Sequence, residues 1–430
     1  MRNIFSLQRS YRRIIILFVM YQVPLMNKEN SMGNQFTKVT RNSWGSRIGG
    51  SFGGVIVGLI LIPLCIWGLW TNEGTKDLSE LAKKSVVVSS DSVDSGQNGV
   101  FASVSGKLVS EEQIGDDPFM VPGPYITLDR SVEIYAWKET ISSEEVKDTV
   151  GGGSTTNTTY SYSKEWTSSP ASSSSFEYPA GHENPTKSID DASYKVSAAT
   201  IGAYSINPET ISLPGGDKVD VKPADGIEGF VKKSRYLFNR EGASSAPEVG
   251  DIRISFTALK SGTSVTAMGK LNDGAIESYT DESFTEGQRT LHRVFIGSRE
   301  NAIEQLHMEY VIWIWVIRVL GILGLWLGLG LLVDPIVKIL DVVGVIGSVA
   351  DGIMGFVNFF LALAIGGTTI IISMLLHNIY FLILVFVLII AGVVYFLRGR
   401  SLKALASGLI PSAATPAASD STDNSPPKMG

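Results

Sequence analysis

Four long apolar runs limit what this chain of 430 residues can fold into. Residues 49–70 carry no charge, residues 311–333 carry one, Arg318, and residues 353–376 and 379–397 carry none. An α-helix rises about 1.5 Å per residue, so roughly 20 residues cross a hydrocarbon core of about 30 Å. Only structures with an internally satisfied backbone cross lipid, and a single segment does so as a helix. A soluble helix of this length keeps a polar face, which these runs lack. The expected fold is an α-helical membrane protein with four spans and a large β-rich (α+β) extramembrane domain between spans one and two.

Charge orients the spans. Residues 1–70 hold 8 Lys and Arg against 1 acidic residue, whereas residues 71–308 hold 22 against 35. Lys28, Lys38, Arg41 and Arg47 precede the first run, and Arg398, Arg400 and Lys403 follow the last. Positive-inside counting places both termini in the cytoplasm. The expected order is a basic cytoplasmic extension (1–48), a span (49–70), a non-cytoplasmic β-rich domain (71–308) and a second span (311–333). An amphipathic interfacial segment (334–352), spans at 353–376 and 379–397, and a disordered cytoplasmic tail (398–430) follow. Near the N-terminus the apolar stretch 14–20 is too short to span, and either Met26 or Met32 is a plausible start. The lone cysteine, Cys65, falls in the first span, so disulfides cannot hold the large domain.

The large domain alternates as strands do. "SVEIYAWKE" sets Val132, Ile134 and Ala136 against Glu133, Tyr135, Trp137 and Glu139, and "TTYSYSKEW" aligns Tyr160, Tyr162, Lys164 and Trp166. The glycine triplet in "VKDTVGGGSTTN" between them predicts a hairpin tip, with the aromatic rows pairing across it. "GDIRISF" is a further strand, followed by a strand–turn–strand pattern around Ser261–Gly262. "TNEGTKDLSELAKK" predicts a capped turn and a short surface helix, and "TSSPASSSSFEYPA" an exposed serine-rich connector. The stretch 282–310, leading into span two, is expected to turn helical.

Gly50, Gly54 and Gly58 recur every four residues in span one, and Gly324 and Gly328 repeat the spacing in span two. Small residues at that interval let helices approach closely in lipid, within one chain or between chains. Arg318 is the one charge inside a span, with snorkelling or an anionic-lipid contact expected for it. In "GHENP", His182 stands beside Glu183, and "SIDD" beyond it has the spacing of a helix N-cap, Ser188 with Asp191. His182 and Glu183, joined by Asp190 or Asp191, are the catalytic candidates, although neighbours on a strand diverge. The bland reading of "GHENP" is a turn that fixes the chain's re-entry, with His182 bonded to backbone. No metal-binding or phosphate-cradling motif occurs, so neither a cofactor nor a metal is expected. The acidic balance of the large domain argues against nucleic acid. Asn157-Thr158-Thr159 is a glycosylation sequon.

Taken in order, the glycine-rich first span ending in "TNEG", then "VEIYAWKE", "YSYSKEW", "GHENP", "PEVGDIRISF" and the closing spans resemble the LUMA family over residues 49–397. That resemblance implies a multi-pass scaffold that self-associates and organises membrane-protein complexes or membrane structure. Its partners would be the lipid bilayer, a homo-oligomer and other membrane proteins. Its place would be the endoplasmic reticulum or inner nuclear membrane in a eukaryote, or the cytoplasmic membrane with a periplasmic domain in a bacterium. The alternative is a membrane-associated enzyme or lipid-handling protein with its site in the non-cytoplasmic domain.

Overall fold

The computed structural model describes residues 34–395, apart from 149, 285–288, 342–343, 378–380 and 382, with backbone alone at 344–351. The short apolar stretch near the N-terminus and the tail from 398 lie outside the described residues. Among the described residues three helices are long and apolar enough to cross a membrane. Helix α1 (Trp44–Glu73) begins at Ser43, whose hydroxyl accepts from Ser46 N. A short helix α2 (Leu78–Lys83) is capped by Asp77. Helix α3 (Arg299–Leu340) runs antiparallel to α1, and α4 (Gly344–Leu376) follows. The fourth run coincides with a shorter apolar helix, Ile383–Tyr395, so three spans are long enough among the described residues. The expected interfacial segment is split: 334–340 ends α3 and 344–352 begins α4, with Asp341 capping α3. Two units divide the chain, one ending at Thr369 and the other starting at Ile370.

The β-rich domain lies between α1 and α3 in sequence, apart from one strand that precedes α1, and holds two large sheets. In the eight-stranded sheet six strands run in the order Gln35–Asn42, Ser154–Thr167, Tyr125–Lys147, Ile252–Lys260, Tyr236–Phe238, Val231–Lys233, while Ala192–Lys195 pairs with Tyr125–Lys147 and Asp217–Val219 with Ile252–Lys260. The predicted hairpin is present, with Tyr135 opposite Trp166 and Trp137 opposite Lys164. Its rings pair as expected: Tyr135 and Trp166 lie 5.4 Å apart, and the Lys164 ammonium sits 4.5 Å from the Trp137 ring. Val132, Ile134 and Ala136 are buried with Ile252, Ile254 and Phe256 on one face, as their period of two dictates.

The seven-stranded sheet is built around Thr263–Asn272, which pairs with Phe101–Val109 and Arg293–Ile296. The turn at Ser261–Gly262 therefore carries the chain from one sheet to the other instead of closing a hairpin. Both faces of Thr263–Asn272 are covered. Val265, Ala267 and Leu271 face a core with Val104, Leu108 and Ile201. Met268 faces Leu81, Phe295, Ala302 and Leu306, where the sheet packs on α2 and the start of α3. Burying a side chain of this size contributes about 1.5–3 kcal/mol, so this seam fixes the domain to the helices.

The first part of the stretch 282–310, expected to turn helical, is corrected here. Thr290–Leu291 and Arg293–Ile296 are strands, and helix begins only at Arg299, after Ser298 caps it. Val294 and Phe295 are buried on opposite faces of the sheet, an arrangement that a helix would lose. "SIDD" likewise caps no helix: the next element is the strand Ala192–Lys195. The Asp191 carboxylate accepts instead from Val132 N at 2.8 Å and pairs with Lys187.

Candidate functional site

Two charge clusters bracket the apolar part of the α1–α3 pair. At the end near the β-rich domain, Arg318 donates from Nε and Nη2 to the two carboxylate oxygens of Glu73, at 2.8 and 2.7 Å. Trp315 lies 5.0 Å under the guanidinium, and Asn72 donates to Ile314 O. The expected snorkelling to lipid is thus replaced by a protein partner. Glu73 stands just beyond the last residue of the uncharged run, which is why a search confined to spans misses it.

At the other end Arg47 is buried on α1. It donates to Asp341 Oδ2 at 2.8 Å and to Gly152 O at 2.6 Å, and its Nε lies 3.3 Å from Glu145. Lys147 adds a second cation to Asp341 at 3.2 Å, and the Trp44 indole donates to Lys338 O. Glu145, Lys147 and Gly152 all belong to the hairpin tip. Gly152 has φ +68°, and a Cβ there would fall 2.4 Å from the Trp44 ring, so this position in the triplet requires glycine.

Between the clusters the helices touch through glycine. A Cβ on Gly58 would lie 2.7 Å from Gly328 O, and one on Gly324 would lie 2.5 Å from Cys65 Sγ. Gly54 meets Leu331, whereas Gly50 has nothing within 4 Å. The glycine face is therefore used inside the chain at Gly54, Gly58, Gly324 and Gly328, and left open at Gly50.

His182 and Glu183 do not converge. His182 is buried, its ring stacked 3.8 Å from Tyr162 and edge-on to Trp137 at 4.8 Å and Phe36 at 6.2 Å. Its Nδ1 bonds Tyr178 O at 2.9 Å. Glu183 is exposed and accepts from Gly181 N, an interaction that holds its carboxyl below the usual range. Asn184 extends the sheet in place of a strand, exchanging hydrogen bonds with Trp137 N and O. Asp190 offers its carbonyl to Arg130. Burial, and then the hydrogen bond to Glu139, push the Tyr162 phenol up to about 12. His182 is bonded to backbone, as the turn reading expects, and the motif also pins the serine connector and the strand Gln35–Asn42 to the hairpin. The connector is itself anchored, with Phe176 buried against Tyr162.

One more constellation escaped the sequence reading because its members are more than 200 residues apart. His307 Nδ1 lies 2.6 Å from Asp77 Oδ2, beside a depression of about 330 Å³ lined by Ser79, Lys83, Glu300, Ile303, Glu304 and His307. The residue types are those of a nucleophilic triad. The Ser79 hydroxyl is buried and hydrogen-bonds nothing, His307 included, so the three side chains do not form a connected triad in this structure. Among the described residues no three metal-ligating side chains come together.

Most of the hairpin, "GHENP", α3 and α4 fall within residues 134–379, and that stretch, which leaves out α1, matches the family described as transmembrane protein 43. The chain belongs to the transmembrane protein 43 family. This member is 31% identical over 225 residues to the transmembrane protein 43 of Rattus norvegicus and of Homo sapiens, covering 49% of this chain and 54% of each relative. It is 26% identical over 193 residues to the transmembrane protein 43 homolog of Drosophila melanogaster, covering 43% of this chain and 50% of that protein. The chain thus spans about half the length of the curated relatives it matches. No solved structure matches it significantly.

Proposed function

We propose that this transmembrane protein 43 family member is a multi-pass membrane scaffold that self-associates and organises membrane-protein complexes or membrane structure. One observation carries the reading: the β-rich domain is fixed to the membrane helices by side chains, beyond the chain connections themselves. Arg299, the first residue of α3, donates to the carbonyls of Ala82, Lys83 and Ser85 at the end of α2. Arg293 of the seven-stranded sheet forms a two-pronged pair with Glu309 of α3, both bonds at 2.7 Å. A domain held this way presents its surface at a set height and orientation over the bilayer, which suits a scaffold. The open glycines of α1 and its exposed Phe52, Ile56, Ile60 and Trp67 leave room for a second copy. The chain resides in an integral membrane: the endoplasmic reticulum or inner nuclear membrane in a eukaryote, the cytoplasmic membrane in a bacterium.

Crosslinking in native membranes, followed by pull-down and mass spectrometry, tests this. The expected product contains a second copy of the chain together with other membrane proteins. A chain that is monomeric at every density, with only lipid around it, removes the proposal.

A further inference from the structure

The two charge clusters stand about 35 Å apart by helical rise from Arg318 to Asp341, close to the thickness of a bilayer core. Between them the outward faces of α1 and α3 are apolar, including Ile56, Ile60, Val319 and Leu327. A second structure of similar length reaches the Arg47–Asp341 cluster from the β-rich domain. Beyond Ile134, its last residue paired with Ile252, the hairpin continues about 36 Å to Glu145 at the strand rise. There its tip joins Arg47 and Asp341. Gln35–Asn42 runs along this arm, paired from Ser161 down to Ser154.

The arm is unsuited to hydrocarbon. Along 139–147 and 154–161 it carries Glu139, Glu144, Glu145, Lys147 and a row of threonines. Among the described residues no strand pairs with the free edge of Gln35–Asn42, or with the matching edge of 138–147. Unpaired backbone groups at a sheet edge cost several kcal/mol each in lipid, so open edges do not cross a membrane. Helices that need lipid around them and an arm of similar length that needs water therefore meet at the Arg47–Asp341 cluster.

We propose that the arm is a releasable strap. It is latched through Arg47, Asp341, Glu145 and Lys147 while the α1–α3 pair is outside a bilayer, and it lets go when the pair inserts. Release parts Gln35–Asn42 from Ser154–Ser161 and leaves the N-terminal segment on the side of the membrane opposite the β-rich domain. The latch suits this role. It holds two cations and two carboxylates, which neutralise one another when closed and are each easily hydrated when open. It draws on three separate parts of the chain, and parting Gln35–Asn42 also lifts Phe36 off Tyr178 and His182 and breaks the Lys38–Glu177 pair.

The test uses the full chain with Cys65→Ser and two alternative cross-strand pairs, Lys38→Cys with Thr158→Cys and Thr37→Cys with Thr159→Cys. Adjacent antiparallel pairs alternate in spacing, and the closer kind suits a disulfide. The chain is synthesised in a cell-free system, with no lipid or with sealed phosphatidylcholine–phosphatidylglycerol vesicles, and then oxidised. The expected result is a disulfide in the lipid-free chain that is lost in the vesicle-inserted fraction. A membrane-impermeant maleimide should then reach only one of the Lys38→Cys and Ser174→Cys single variants in sealed vesicles. A disulfide retained after insertion, labelling of both variants from outside, or no disulfide under either condition overturns the strap.

Discussion

Arg318 of α3 and Glu73 at the end of α1 meet through two parallel hydrogen bonds of 2.8 and 2.7 Å, with both side chains largely withdrawn from solvent. Their union turns a charge that looks misplaced in a membrane helix into the fastening between two helices. Breaking one partner of a buried pair costs about 3–5 kcal/mol, because the other charge is left stranded. Glu73→Gln should therefore lower the thermal midpoint of the detergent-solubilised protein by several degrees. Arg318→Lys should fall between it and the parent, since an ammonium cannot reproduce the fork. Equal melting of Glu73→Gln and the parent would mean that the pair contributes nothing.

The helix seam makes a positional prediction. Gly58→Leu forces a side chain against the Gly328 carbonyl, an overpacking expected to cost about 1–3 kcal/mol. Gly50→Leu enters open space and should melt with the parent. If both variants melt alike, the contact between Gly58 and Gly328 is not what holds the helices together.

Replacing His182 removes the ring that stacks on Tyr162 and touches Phe36. His182→Ala is expected to cost about 2 kcal/mol or more and to open the segment around Phe36 to limited proteolysis. Glu183→Gln should leave both properties unchanged, because Glu183 is exposed and bonded only locally. A stable, protease-resistant His182→Ala variant would contradict a structural role for the ring.

Acid should loosen the β-rich domain through Asp251. Burial alone would raise its carboxyl, but hydrogen bonds from Arg240, at 3.0 and 2.6 Å, and from Glu248 N bring it below the usual range. A carboxyl with a lowered folded value stabilises the fold above its unfolded value of about 3.9 and loses that contribution as pH falls through the folded one. Arg240→Gln should therefore reduce stability at neutral pH and flatten the acid limb of tryptophan-monitored unfolding below about pH 4. An acid limb identical to the parent's would assign acid sensitivity to other carboxyls.

Features set by local periodicity were legible in the sequence. The alternation of Val132, Ile134 and Ala136 predicts their burial, and the glycine triplet predicts the hairpin tip, because strand period and turn chemistry act over a few residues. Glu73 was hidden because spans are delimited where charge begins, and its partner lies 245 residues away. Gln35–Asn42 was read as part of a basic extension because pairing with Ser154–Ser161 leaves no mark on either strand alone. Arg293–Ile296 was read as helix because its neighbours favour one, whereas the sheet that buries Phe295 is assembled from segments far apart in sequence. At "GHENP" the turn residues showed how the chain bends, and only the fold supplies the rings of Tyr162, Trp137 and Phe36 that enclose the histidine.

Arg299 gives α3 a mechanical meaning. The helix is 42 residues long, about 63 Å by its rise, and only part of it lies between the two charge clusters. Its remaining length stands clear of that interval as a shaft clamped at its root to α2 and to the seven-stranded sheet. A membrane helix answers a change in bilayer thickness by tilting. Tilt at one end of a shaft swings whatever is bolted to the other, so the β-rich domain should lean as the membrane thins or thickens, turning bilayer thickness into an angle that a neighbouring protein can read.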